Sequence, residues 1–120
     1  MSNYRIQQFQ NLLFSQEAFQ LIQGNSDVPK KVQLKMLEGF GLLNMHGTDK
    51  DFLGNKIENT KRSKIWELKI KGPSKTEWRV LFKHIGHGEY AMLHFFLKKD
   101  EKIQERDFDA AKRICVREGW

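Results

Sequence analysis

Cysteine is nearly absent from this chain of 120 residues: it has one, Cys115, so no intramolecular disulfide can form. With a single thiol there is no CxxC pair and no Cys/His cluster at metal-site spacing, and no metal is expected. Long apolar runs are missing as well. The longest is too short to span a bilayer, and Phe95-Phe96 stands between His94 and Lys98. The opening MSNYRIQQ has neither the basic stretch nor the apolar run of a secretory signal. These absences predict a cytoplasmic protein with no membrane partner and no cofactor. Internal repeats and low-complexity segments do not occur.

What is present is an apolar fraction of 39% with nine Phe and three Trp, a globular composition rather than a disordered one. The length predicts one domain, 1–120, around a single core. The formal net charge of +6 points to an anionic partner, with nucleic acid the first candidate. A soluble basic surface without any such partner gives the same charge.

Alternation through Tyr4, Ile6 and Phe9, ending in Leu12-Leu13-Phe14, predicts a first strand somewhere within Tyr4–Phe14. Ser15 before Gln16-Glu17-Ala18 reads as an N-cap, and Gly24-Asn25 as the stop of a short helix. A second helix starts at Asp27-Val28-Pro29, with Val32, Leu34, Met36-Leu37, Phe40 and Leu43 as its apolar stripe. Gly39 and Gly41 weaken it. Residues 16–46 are thus expected to form a helical hairpin that covers a sheet. The polar stretch from Gly47 to Ser63 reads as a connecting loop with a short structured piece at Phe52-Leu53.

Three alternating runs follow. Trp66, Leu68 and Ile70 oppose Glu67, Lys69 and Lys71; Trp78, Val80 and Phe82 oppose Arg79, Leu81 and Lys83; Ala91, Leu93, Phe95 and Leu97 oppose Met92, His94, Phe96 and Lys98. Turns at Gly72-Pro73-Ser74-Lys75 and Gly86-His87-Gly88 make them an antiparallel meander. The apolar set of each strand should face the hairpin, because a slip of one residue buries Glu67, Lys69 and Arg79. The opposite face then gathers Glu67, Lys69, Arg79, Lys83, His94, Phe96 and Lys98. A last helix from about Gln104 to Glu118 packs Phe108, Ala111, Ile114 and Cys115 over Leu81, Met92 and part of that polar face. It turns Arg106, Arg113 and Arg117 outward.

The run Ile65-Trp66-Glu67-Leu68-Lys69, then Trp78-Arg79-Val80, then Leu93-His94-Phe95-Phe96-Leu97-Lys98-Lys99 with Lys102, resembles the toxins of the RelE/HigB type. Within them it is most similar to the phage-derived Gp49-like group, whose lysine-bearing entry to the first motif is matched by Lys56-Ile57-Glu58-Asn59-Thr60. The motifs span residues 56–113; the N-terminal half agrees only in element order. Lys69 stands where the group usually has Arg, Trp78 where it has Tyr, and Ile103-Gln104 where a Thr-Pro commonly opens the last helix. The first exchange keeps the charge and loses the bidentate fork.

The resemblance implies an α+β, RelE-like fold: an N-terminal strand and helical hairpin on an antiparallel sheet of about four strands, with a C-terminal helix. It implies a toxin of a type II toxin–antitoxin system that enters the ribosomal A site and cuts mRNA there. It also implies a cognate antitoxin, of the helix-turn-helix, HigA-like kind. In such metal-independent endoribonucleases the ribose 2′-OH attacks the adjacent phosphate. That reaction needs a base, a cation for the phosphorane-like charge and an acid for the leaving oxygen. On this resemblance Arg79 stabilises phosphate, or else forms a salt bridge with Glu67; His94 is acid or base; and Glu67 is a base, an orienter of Arg79 or an ion-pair partner. Lys98, Lys99 and Lys102 hold RNA backbone, with Lys98 able to assist proton transfer. Lys56, Lys69 and Lys83 also bind RNA, and Phe96 stacks on a base or packs under the last helix. His46, His84 and His87 lie near turns or a helix end and carry no expected role. Two alternatives share the same fold and charge: a ParE-like toxin that poisons gyrase through protein contact, and a non-catalytic nucleic-acid-binding module.

Overall fold

A computed structural model describes residues 4–24 and 27–120; Asn25 of the expected helix stop lies outside them. In chain order the elements are β1 (Tyr4–Ile6), β2 (Phe9–Phe14), α1 (Gln16–Ile22), α2 (Lys30–His46), α3 (Lys50–Leu53), β3 (Ile57–Arg62), β4 (Ile65–Lys71), β5 (Glu77–Gly86), β6 (Glu89–Lys98) and α4 (Glu105–Glu118). The α+β class and the expected helices are present. The sheet, however, has six strands in the order β1-β2-β6-β5-β4-β3 rather than about four, and it is mixed. Every neighbouring pair is antiparallel except β2 with β6, which is parallel.

The extra strands come from two hairpins without the usual turn residues. Tyr4–Phe14 is two strands folded at Gln7-Gln8, so the alternation that read as one strand crosses a turn. The expected loop at residues 47–63 contains α3, a tight turn at Gly54–Lys56 and the edge strand β3. Ile57 is the only buried residue of β3, which leaves no alternation to detect. Its link to β4 is made by Ser63 and Lys64, both at positive φ, where glycine or asparagine is the usual signal. The expected structured piece at Phe52-Leu53 is the end of α3.

The hairpin covers the sheet as expected. The Ser15 hydroxyl accepts from the Ala18 amide, capping α1. On α2 the buried side chains are Val32, Met36, Phe40 and Leu43, while Leu34, expected on that stripe, is exposed on another face of the helix. Gly39 has a packing reason: a Cβ there stands 3.0 Å from a methyl of Leu68, so its absence lets α2 lie close against β4. Leu68, Ile70, Val80, Phe82 and Met92 meet Leu12, Phe14, Val32, Met36, Phe40 and Leu43 in one core. A second, smaller core sets Ile65, Leu81, Ala91 and Leu93 against Phe108, Ala111 and Ile114 of α4.

One expectation about facing is corrected here. Leu93 and Ala91 face α4, and Met92 faces the hairpin, the reverse of the alternating reading. The cause is a bulge: Leu81 pairs with His94 and Phe82 with Met92, leaving Leu93 as the extra residue. Phase is therefore inverted on one side of Leu93 only, so Phe95 keeps its expected side beside the hairpin core. The bulge is held from the residue after β2, since the Ser15 amide donates to Met92 O at 3.0 Å and its hydroxyl to Leu93 O at 2.7 Å.

Candidate nucleic-acid interface

Register makes the polar face of β4, β5 and β6 a lattice. Lys71, Glu77 and Lys98 form one row, Lys69, Arg79 and Phe96 the next, and Glu67, Leu81 and His94 the third. Arg79 sits at its centre. Its Nε donates to Glu67 Oε1 at 2.9 Å, one Nη to the Trp78 carbonyl at 2.9 Å, and the other approaches Glu77 Oε2 at 3.4 Å. The Arg79 and Glu67 side chains are only 4% and 9% exposed. The salt-bridge alternative for Arg79 is thus the arrangement seen, and a buried pair of this kind is costly to break from one side.

Beside this pair lies a groove of about 650 Å³ between the β3–β4 hairpin and the β6–α4 connection. Glu67, Lys69, Lys98 and Lys102 line it, with Arg62 and Phe108 closing one end. Arg62 is fixed there by Glu105 at 2.7 Å and by its guanidinium, 4.0 Å from the Phe108 ring centroid. Lys69 Nζ meets Glu58 Oε1 at 2.9 Å, and this hydrogen bond lowers the Glu58 carboxyl below its ordinary pKa. Among the described residues Lys98 and Lys102 have no carboxylate partner. With Lys61, which also lines it, they are the cations this groove offers to an anion.

His94 is not part of that groove. Its Nε2 is 2.9 Å from Asp107 Oδ1 on α4, and its ring stacks on Phe96 with centroids 5.3 Å apart. It opens instead onto a cleft of about 780 Å³ lined by Glu17, Arg113, Ile114, Val116 and Arg117. Helix α4 stands between the two openings, with Phe108 toward one and Arg113 and Arg117 toward the other. The expected grouping of His94 with Glu67, Arg79 and Lys98 is therefore split by the helix that packs on them. Phe96 is half-buried at the rim of the α4 core.

The remaining basic candidates scatter. Lys83 lies one row further, between Ile65 and Ala91, where burial pushes the nearby Cys115 thiol up and Lys83 pulls it partly back. Lys99 is exposed just after β6 and, with Lys98 and Lys102, borders a small hollow by Gln104 and Arg106. Lys56 lines a different cleft, shared with Lys69, Lys71 and Arg79. Of the three outward arginines on α4, Arg117 is engaged: it meets Glu17 at 2.8 Å and Glu118 at 2.9 Å.

Sequence reading missed the partners Glu58, Glu77, Arg62 and Asp107. Asp107 carried the only usable signal, as an acidic residue in the first turn of a helix. Among the described residues no three His, Cys, Asp or Glu side chains converge on a metal position, and no helix is long and apolar enough to cross a membrane.

No curated protein matches the chain. The family model described as "Phage derived protein Gp49-like" matches residues 26–115, which is 90 of 120 residues and takes in α2, β3 to β6 and most of α4. That family is a toxin-type family of toxin–antitoxin systems, which implies an antitoxin as partner. The basic groove, the sheet that carries it and this match agree: the chain belongs to the Gp49-like family, within the RelE/ParE-like toxin superfamily.

Proposed function

We propose that this chain is a ribosome-dependent mRNA endoribonuclease, the toxin of a type II pair, neutralised by a helix-turn-helix antitoxin. The observation that carries the reading is the groove lined by Lys98, Lys102 and Glu67, in which neither lysine has an ion pair among the described residues. A single RNA strand in that groove places a phosphate against the two ammonium groups. Glu67 takes the proton of the 2′-OH as the 2′-oxygen forms its bond to phosphorus. The P–O5′ bond breaks, and Lys98 gives a proton to the departing 5′-oxygen. The products are a 2′,3′-cyclic phosphate and a 5′-hydroxyl. Arg79 acts through Glu67 as a positioning residue: its Nε fixes the carboxylate. Lys69, Lys99 and Lys102 hold the backbone. The His94–Asp107 pair, on the far side of α4, holds that helix to the sheet.

Mapping cuts in mRNA on translating ribosomes tests this. Wild-type protein is expected to cut within translated codons, and Lys98→Ala to slow cutting about 100-fold. Arg79→Lys should recover part of what Arg79→Ala loses and shift the pH profile of cleavage, which a purely structural role does not do. Intact messages with induction of the DNA-damage response would favour the gyrase-directed alternative. Growth arrest with neither effect would favour the binding module.

A further inference from the structure

A second opening touches the groove at Lys69 and lies outside the chemistry above. Strand β3 pairs with β4 only as far as Ile57 opposite Leu68, so Lys69, Ile70 and Lys71 have no strand beyond them. Where β3 stops, α2 and the Gly54–Lys56 turn leave a cleft of about 520 Å³. That volume is in the range of small-ligand sites, about 300–1,000 Å³. Its floor is apolar, made by Gly39, Leu53, Leu68 and Ile70, and Asn55 stands beside it. Its walls carry Lys35, Lys56, Lys69, Lys71 and Arg79 against Glu38 and Glu77, five cations to two carboxylates.

The free charge is what matters for a ligand. Lys69 is taken by Glu58, and Arg79 by Glu67 and Glu77. Lys35 Nζ donates to the Lys71 carbonyl at 3.1 Å, which aims it along the β4 edge. Among the described residues Lys35, Lys56 and Lys71 have no carboxylate partner. An apolar floor with an amide at its side and ammonium groups on its walls fits a base and its phosphate. Lys69 lines both this cleft and the groove of Lys98 and Lys102, so the two openings meet at one residue.

We infer that the cleft between α2 and the β4 edge is a second nucleotide subsite, which takes a nucleotide flanking the reacting phosphate on the same RNA strand. The inference rests on the groove being the RNA site proposed above. The strand passes over Lys69, sets its next phosphate between Lys56 and Lys71, and lays a base on Leu53 and Leu68. Lys35 and Lys71 are the residues this adds to the RNA-binding set.

Binding of 2′-O-methyl RNA, which cannot be cut, tests it: a dinucleotide against a strand of about six nucleotides, over a range of salt. For the longer strand, Lys56→Ala/Lys71→Ala is expected to flatten the slope of log K against log salt by about 1.4, or about 0.7 per lost contact. Dinucleotide binding and Tm should stay at their wild-type values. Lys98→Ala/Lys102→Ala should weaken both ligands. An abasic nucleotide at one position should weaken the wild-type protein and make no difference in the Lys56→Ala/Lys71→Ala variant. An unchanged salt slope for the longer strand, with Lys98→Ala/Lys102→Ala still impaired, would overturn the subsite and leave the groove standing. Equal loss of both ligands in the two double variants would also overturn it. So would an oligoglutamate peptide that competes as well as RNA. If the wild-type protein binds neither ligand, both readings fall together.

Discussion

Toward α1 and α2 the sheet presents Leu68, Ile70, Val80, Phe82 and Met92, which meet the hairpin through apolar packing. Toward α4 it presents a smaller apolar patch of Ile65, Leu81, Ala91 and Leu93 and, beside it, Arg79 with Glu67 and His94 with Asp107, pairs joined by direction and charge. The first face loses stability in proportion to the volume removed, whichever residue is cut. The second loses it when one member of a pair is removed and the other stays buried. Two kinds of cohesion thus share one set of strands, and substitutions tell them apart.

The largest expected effects test that difference directly. Phe82→Ala and Glu67→Ala should each cost about 3–5 kcal/mol in urea unfolding, the first by leaving a cavity, the second by stranding the Arg79 charge. Only the second should be relieved by a partner change: Glu67→Leu with Arg79→Met is expected within about 1 kcal/mol of wild type. A Glu67→Ala variant as stable as wild type would remove the distinction.

Ser15→Ala comes next, at about 1–3 kcal/mol. Its buried hydroxyl both caps α1 and donates to the Leu93 carbonyl at the bulge, so one deletion leaves two backbone groups unmatched. Thermal unfolding measures it, and loss of protection at the Ala18 amide in hydrogen exchange assigns it.

Acid sharpens the contrast at the periphery. The Arg117 hydrogen bonds hold the Glu17 carboxyl below its ordinary pKa. The folded value is the depressed one, so the pair stabilises fully above the unfolded value of about 4.3 and loses its contribution as pH falls through the lower folded value. Both side chains are nearly half exposed, which limits the effect to about 0.2–1 kcal/mol. Glu17→Gln should lower stability near neutral pH by that amount and flatten the acid limb below about pH 4.3. Smallest of all, Lys98→Ala/Lys102→Ala should leave stability within about 0.5 kcal/mol while abolishing RNA cutting, since neither lysine has an ion pair among the described residues.

How far the sequence could be read follows the same division. Alternation located β4, β5 and β6 and their sides, because burial on one face writes a period of two. It failed at Leu93, where one extra residue changes phase and leaves no mark in residue type. The edge strands β1 and β3 were hidden for a related reason: an edge buries little, so Ile57 alone carried the signal of its strand. Among candidate site residues, the strand assignment put Arg79, Glu67, Lys69 and Lys98 on one face, and their register confirms that placement. The partners were out of reach. Asp107 lies thirteen residues from His94, across a connection whose path the sequence does not specify. The removal of His94 from the groove was equally invisible, since it depends on where α4 crosses the sheet.

The parallel pairing of β2 with β6 has a consequence in time. Ser15 and Leu93 are 78 positions apart, yet they share a hydrogen bond at the sheet centre. During synthesis β1 and β2 can pair with each other at once, but the other edge of β2 stays open until Glu89–Lys98 has emerged. The groove that includes Lys98 and Lys102 is completed only when α4 follows and Phe108 packs into place. The surface that carries these lysines is therefore assembled late, from strands far apart in sequence, and takes shape only as the sheet and α4 close together.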